Sequence, residues 1–525
     1  MTLDTTEIYA NDALFLPIVL PVLVILLQIL VDRILGEKKI GTTVSHLLTI
    51  LGSFGSFGAA LWLFSIFEEE KQTIVNDSGK NYFYADGISV FFLIVFSFIF
   101  LTACLYSITY MIDEKNVGLY YALIFSLFAG LNAIVISRDL FALFVAWEMM
   151  AICGYSLVAW NKAEREPVEA GFKYLIMSSF GSLSFLFGIA IVFGLTGDVT
   201  FSSLQRTDAT GATTAMDSTM GHLAIVFMLL GFAVVASAIL LNQWLPDAHP
   251  AAPTPVSALL SGIVVKAGAY GILRTLTEFL RDSTETGALD QLASIAGSNW
   301  TQLLVVLGLL TMTEGNILVL AQFMRKDQKD IKRILAYSTT VHLGYIMLGI
   351  GICSRDALVA VLYHVLNHAA AKALLFMVAG WIYLRLHTRE LDEMRGIGTR
   401  DPYVAVALMI GAFSLGGVPL TGGFISKFLI LVATFQTDAN WALPVLVIAI
   451  ANSAVAFFGY LWLIKFLVMD KPSEKVKSTE GLAKLRLPEI PMILAIATLS
   501  VAVLAFGIYP EPFLKFAFRA ANLIF

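Results

Sequence analysis

The chain has 525 residues, of which 58% are hydrophobic and only 14% charged, with a mean hydropathy of +0.80. That balance excludes an ordinary soluble domain and makes this an integral membrane protein whose surroundings are the lipid bilayer. The formal net charge of −5 says little about partners, because the charges are segregated into loops, and no nucleic-acid partner is expected.

Apolar stretches of roughly 18 to 25 residues recur along the chain, each long enough to cross about 30 Å of hydrocarbon as a helix. They are continuously apolar instead of alternating, which argues against barrel strands. The expected fold is all-α and polytopic, with about 14 transmembrane helices whose backbone groups are paired internally. The first three, 13–35, 44–67 and 87–112, precede 118–136 and then 138–160, which carries Glu148 inside FALFVAWEMMAICGYSLVAW. A carboxylate with about ten apolar residues on either side must be paired, water-exposed or protonated. It reads as a structural pair, as a neutral hydrogen-bonded acid, or as a proton or cation acceptor. Lys173 opens helix 169–196, close to the surface, and helix 222–243 runs into QWLPDAHPAAPTP, where Pro246, Pro250, Pro253 and Pro255 prevent continuous hydrogen bonding.

Helix 255–280 carries Lys266 in SALLSGIVVKAGAYGIL, with no second charge before Arg274. A lysine at mid-bilayer depth is a functional hypothesis by default. Helices 301–323 and 330–353 follow; the second opens with Lys332 and Arg333, which read as interfacial anchors, and contains His342 in AYSTTVHLGYI. In 356–384, His364, His368 and Lys372 recur every four residues and form one stripe. HxxxH can bind zinc, but no third ligand is evident, so a relay ending in a lysine is the better reading and no metal is expected. Helix 402–435 contains GGVPLTGG, followed by Lys427, which either faces an ion path at the break or snorkels to an interface. Helices 441–468 and 487–509 and an amphipathic tail after Pro510 complete the chain.

The interrupted seventh and twelfth helices lie five helices apart, the sign of a transporter made of two repeats with its ion path near the breaks. An odd repeat enters the membrane the other way up, so two inverted five-helix repeats are expected. The division is 1–112 for the N-terminal helices, 118–280 and 301–468 for the two ion-translocation halves, and 487–525 for the last helix and tail. Lysines and arginines collect in the odd connections, from Arg33, Lys38 and Lys39 to Lys484 and Arg486. By the positive-inside rule those loops face the cytoplasm, which puts both termini on the outer side of the inner (cytoplasmic) membrane. The acidic start, with Asp4, Glu7 and Asp12, fits an exported tail. Cys104, Cys153 and Cys353 lack metal or redox spacing, and no phosphate loop, haem motif or iron–sulfur set is present. No cofactor is expected, and the chain reads as a translocase subunit without its own redox centre. A Glu–Lys pair near 4 Å is worth about 4 kcal/mol at an effective dielectric of about 20, whereas moving one charge through 100 mV takes about 2.3 kcal/mol. Making and breaking such pairs is therefore enough to load and empty neighbouring sites.

Five stretches together carry a resemblance: SRDLFALFVAWE, WLPDAHPAAPTPVSALLSGIVVKAGAYGILR, DIKRILAYSTTVHLGY, HVLNHAAAKALLF and GGVPLTGGFISKFLIL. In order along residues 85 to 470, they resemble the antiporter-like subunits of respiratory complex I, membrane-bound energy-converting hydrogenases and Mrp-type sodium/proton antiporters. The resemblance implies fourteen helices, inverted repeats and a chain of buried charges. It assigns Glu148 to the fifth-helix acid, Lys266 to the central lysine, His342 to the tenth helix, Lys372 to the eleventh and Lys427 to the exit. One position departs: where the family commonly has a seventh-helix lysine, this chain has Val235. Glu148 then relies on Lys266 or Lys173, works through water, or belongs to a half that does not pump. The implied function is ion translocation, protons ahead of sodium, driven by other membrane subunits of a multi-subunit energy-converting complex. An Mrp-type antiporter subunit and a non-pumping scaffold are the alternatives.

Overall fold

Without water in the bilayer core, each apolar run must satisfy its own backbone, and the computed structural model folds these runs as helices. It describes residues 5–36, 39–70, 74–75, 83–206, 213–280, 299–437, 439–479 and 486–522. The expected roles of Asp4, Lys38 and Lys484 lie outside the described residues. In chain order the helices are α1 (Thr5–Leu35), α2 (Lys39–Glu70), α3 (Gly87–Tyr110), α4 (Val117–Ile136), α5 (Leu140–Val158), α6 (Arg165–Thr196), α7 (Thr219–Val235) and the short α8 (Leu245–Ala251). The second part contains α9 (Thr254–Leu280), α10 (Asn299–Met324), α11 (Ile331–Ile352), α12 (Arg355–Leu386), α13 (Pro402–Gly416), α14 (Gly422–Phe435), α15 (Ala442–Ile464), α16 (Ile490–Ile508) and α17 (Glu511–Asn522). Among the described residues, 12 helices are long and apolar enough to cross a membrane, and α7, α13 and α14 are shorter apolar helices. The only β-sheet there is a two-residue antiparallel pair, Ile74–Val75 with Tyr84–Ala85.

The helices differ in how much of them the protein itself covers. α9 is buried along its whole length and α11 and α12 nearly so, whereas α1, α2, α15 and α16 turn most of their surface outward. Lys266, His342, His364, His368 and Lys372 all sit on the three shielded helices, where charge and hydrogen-bonding capacity are kept from acyl chains.

Both expected interruptions are present, but the first is not where the prolines stand. α7 ends at Val235, and the chain unwinds through Ser237 (φ 54°) and Leu240 (φ 67°), both in the left-handed region. Pro246 and Pro250 are accommodated inside α8, and Pro253 and Pro255 at the start of α9. The helix expected over 222–243 thus stops several residues early, because left-handed residues and not prolines end it. Trp244 Nε1 donates to the Val234 carbonyl at 2.9 Å, satisfying one acceptor of the broken end. The second interruption lies between α13 and α14, with Gly417 (φ 82°) and Leu420 (φ 71°) left-handed. A Cβ on Gly423 would stand 1.7 Å from the Ser414 carbonyl, so the half-helix ends approach as closely as they do only because glycine is there.

The helix expected as one run over 255–280, which carries Lys266, is not regular throughout. A π-helical turn over Leu260–Val264 lies just before that lysine, and the Ser261 carbonyl, turned out of the regular ladder, accepts from Lys266 Nζ.

Candidate functional site

Spacing placed His364, His368 and Lys372 on one face of α12, and the fold brings that face against α11, α14 and α15. His342 on α11 lies between two partners: Nδ1 is 3.2 Å from His364 Nε2, and Nε2 is 3.3 Å from the Tyr460 hydroxyl of α15. His364 Nδ1 is in turn 2.9 Å from Ser426 Oγ at the start of α14. All three histidines, Ser426 and Lys372 are buried, so no bulk water competes for these bonds. His368 stacks beside this line, its ring centre 4.7 Å from that of His342, and neither of its ring nitrogens has a hydrogen-bond partner among the described residues.

A lysine closes each end of the line. Lys372 Nζ donates to the Leu335 carbonyl at 2.9 Å and to Ser338 Oγ, and lies 5.8 Å from the Tyr460 ring centre. Lys427, the residue after Ser426, donates to the Leu415 carbonyl at 2.8 Å, in the last turn of α13, and sits 5.4 Å from the Tyr345 ring centre. It is 3% exposed, so it faces the break and does not snorkel. The carbonyl end of α13 is a natural partner for a cation. A cavity of about 10 Å³ beside Ser338, His342 and Tyr460 has room for about one water.

Lys266 joins this line through α11. Ser261, whose carbonyl holds the ammonium, places its hydroxyl 2.8 Å from Thr339 Oγ1, one turn before His342. Gly262 packs against Ala369 of α12, where a Cβ would be 3.6 Å from its carbonyl oxygen. The π turn therefore carries Lys266 to the face of α12 that bears His368 and Lys372.

The first half is arranged differently. Glu148 is half-buried and its Oε1 has no hydrogen-bond partner among the described residues. Neither lysine named for it is bonded to it: Lys266 is held by Ser261, and Lys173 pairs with Asp247 at 2.8 Å and Glu169 at 3.1 Å on an exposed surface. Val235 is buried.

Several polar groups belong to this region that sequence reasoning passed over. Lys332 is not an interfacial anchor: it is 3% exposed and donates to the Ala252 carbonyl at 2.9 Å, at the end of α8. It lines a cavity of about 400 Å³ together with Glu114, Glu166 and Arg389, at the face carrying the basic connections. There Asp330 caps α11; burial raises its carboxyl above the usual range, although Arg389 3.4 Å away acts in the opposite sense. His249 on α8 is fully buried, stacks 4.6 Å from Phe376 and leaves both ring nitrogens without partners among the described residues. Glu314 of α10 accepts from Asn242 at 3.0 Å at the first break. The invisibility of Tyr460 is understandable, since it meets His342 from 118 residues away. His249 stood inside the quoted proline-rich motif, and a histidine in an apolar half-helix was the available signal.

A family model described as "NADH:quinone oxidoreductase/Mrp antiporter, TM" matches residues 137–453. F(420)H(2) dehydrogenase subunit N of Methanosarcina mazei is 29% identical over 448 residues, 84% of this chain and 84% of that protein. NADH-quinone oxidoreductase subunit N of Moorella thermoacetica is 30% identical over 437 residues, 82% of this chain and 84% of that one. Among solved structures, a chain of the membrane-bound sulfane sulfur reductase, an archaeal respiratory membrane complex, superposes with a TM-score of 0.81 at 27% identity, covering 98% of each chain.

Proposed function

This chain belongs to the NADH:quinone oxidoreductase/Mrp antiporter transmembrane family, and from that premise we propose that it carries protons across the membrane as one subunit of a multi-subunit energy-converting complex. The observation that carries this reading is the file Lys372, Tyr460, His342, His364, Ser426 and Lys427, which runs from the middle of α12 to the second break. Neutral imidazoles fit such a file, because each ring accepts a proton on one nitrogen while releasing one from the other. A proton arriving at His342 Nε2 leaves from Nδ1 to His364 Nε2, and from His364 Nδ1 to Ser426. Lys266 and Lys372 feed the file and Lys427 empties it.

The lysines set the ion. An ammonium repels sodium and exchanges a proton readily, so protons are the favoured cargo over sodium. Every ammonium in the line rests on backbone carbonyls or hydroxyls without a carboxylate, so a change in the charge of a neighbour shifts its hold on a proton. The partner subunits supply the energy, since this chain's motifs include no redox centre. In this reading the halves 118–280 and 301–468 are inverted repeats with the basic connections in the cytoplasm and both termini outside, and the cavity beside Lys332 is the entry side. The test uses the assembled complex in sealed vesicles: Lys427→Ala with normal assembly abolishes formation of the pH gradient, and unchanged pumping rejects the reading.

A further inference from the structure

The outward surface of α10 contains a charge that the file above does not use. Glu314 stands about 22 Å from one end of this helix and about 15 Å from the other, near mid-membrane depth. Leu303, Val306, Leu310, Ile317 and Met324 share its stripe and turn outward; Leu310 and Ile317, on either side of it, are 47% and 60% exposed. Glu314 itself is half-buried, and Asn242, at 3.0 Å, is its one hydrogen-bond donor among the described residues. Among those residues no lysine, arginine or histidine forms an ion pair with it. A carboxylate left facing acyl chains at this depth is costly, and such groups are paired.

The rest of α10 is committed to this chain. Its opposite face packs on α11, where a Cβ on Gly308 would stand 2.6 Å from the Leu348 nitrogen and one on Gly315 2.8 Å from the Val341 side chain. Asn316 donates to Asn452 of α15 at 2.9 Å. The unwound segment of the first break lies along one edge: Ile239 N donates to Thr311 Oγ1 at 3.1 Å, and Asn242 reaches Glu314. Between those two contacts Leu240, held in the left-handed backbone that a leucine rarely adopts, is 73% exposed. The surface left open is therefore an apolar stripe with one carboxylate at its centre and a leucine projecting beside it. The outward residues Phe180, Leu183 and Phe187 of α6, by contrast, have no acid among them and suit acyl chains. A second copy of this chain does not fit the α10 stripe, since a two-fold contact there would set Glu314 against Glu314.

We propose that this face of α10 is where a transmembrane helix of another subunit docks, presenting a lysine or arginine to Glu314. Apolar side chains of that helix pack against Leu310, Ile317 and Leu240, and the ion pair is closed off from lipid between the two chains. The contact fixes which subunit sits beside the first break. The inference takes from the reading above only that the chain works within a multi-subunit complex, and its test reads association instead of proton transport. In the purified complex, photoreactive benzoylphenylalanine in place of Leu310 or Ile317 cross-links to one neighbouring subunit, at a helix with a lysine or arginine within about one turn of the labelled residue. Glu314→Gln, which keeps the shape and an acceptor for Asn242 but removes the charge, lowers retention of that neighbour on the order of tenfold. Glu314→Lys combined with a glutamate in place of the neighbour's basic residue restores it. Cross-linking to lipid alone, to a second copy of this chain, or to a helix without a basic residue overturns the inference. So does full retention in Glu314→Gln, since the carboxyl then faces lipid as a neutral acid. If the cross-link forms while Lys372→Ala leaves pumping intact, the translocation reading falls and this inference stands; the reverse pattern removes only this inference.

Discussion

His364 is the narrowest point of the proposed file, and its replacement gives the sharpest prediction. The ring spans from His342 Nδ1, 3.2 Å from one nitrogen, to Ser426 Oγ, 2.9 Å from the other. Removing it in His364→Phe leaves a separation of roughly 8 Å between those atoms, about three hydrogen-bond lengths, filled by an apolar ring. A positioned proton-transfer group commonly contributes about 10²–10⁴-fold, so proton flux should fall at least about a hundredfold. His364→Gln supplies a comparable polar side chain without a group that both takes and gives a proton at neutral pH, and should fall nearly as far. The assay is acidification of vesicles containing the whole complex, with subunit stoichiometry checked on the same preparation. Normal flux in His364→Phe, with the chain correctly assembled, would refute the reasoning.

Other consequences follow from the same geometry. Asp86 and Arg274 form a 2.7 Å ion pair with side chains only 6% and 3% exposed; Asp86→Ala strands the guanidinium and should destabilise the protein by about 3–5 kcal/mol, read as a lowered unfolding temperature in detergent. Replacing both partners by Leu and Met should recover much of that loss, and equal loss in the double variant would exclude the stranded charge as its cause. Gly423→Ala forces a methyl into the Ser414 carbonyl and should cut the yield of assembled complex sharply, whereas Gly194→Ala, where a Cβ meets nothing within 4 Å, should be neutral. Lys266→Ala should stop pumping with assembly preserved; persistent pumping would favour the scaffold alternative.

Much of this architecture was legible in the sequence, because a membrane makes hydrophobic length decisive. The interruption in GGVPLTGG and the four-residue spacing of His364, His368 and Lys372 were readable for the same reason, each being local. What escaped depends on tertiary neighbours. The first break falls at Ser237 and Leu240, whose left-handed backbone no composition signals, and not at the conspicuous prolines. The π turn before Lys266 arises where α9 packs against α11 and α12, and it alone frees the Ser261 carbonyl for the ammonium. Lys332 looked like an anchor because it opens a helix, yet the end of α8 folds over it. Val235 departs from the resembled pattern in sequence alone, whereas the buried hydroxyls of Tyr174, Ser178 and Ser182 on α6, which have no hydrogen-bond partner among the described residues, show only in the packed helices.

The most direct test of the central claim is the pH gradient formed by the intact complex in sodium-free vesicles, comparing wild type with Lys372→Ala at equal assembly and equal driving turnover. The account predicts a gradient in the wild type without sodium and its loss in the variant. A wild type that requires sodium, or a variant that acidifies normally, would contradict it.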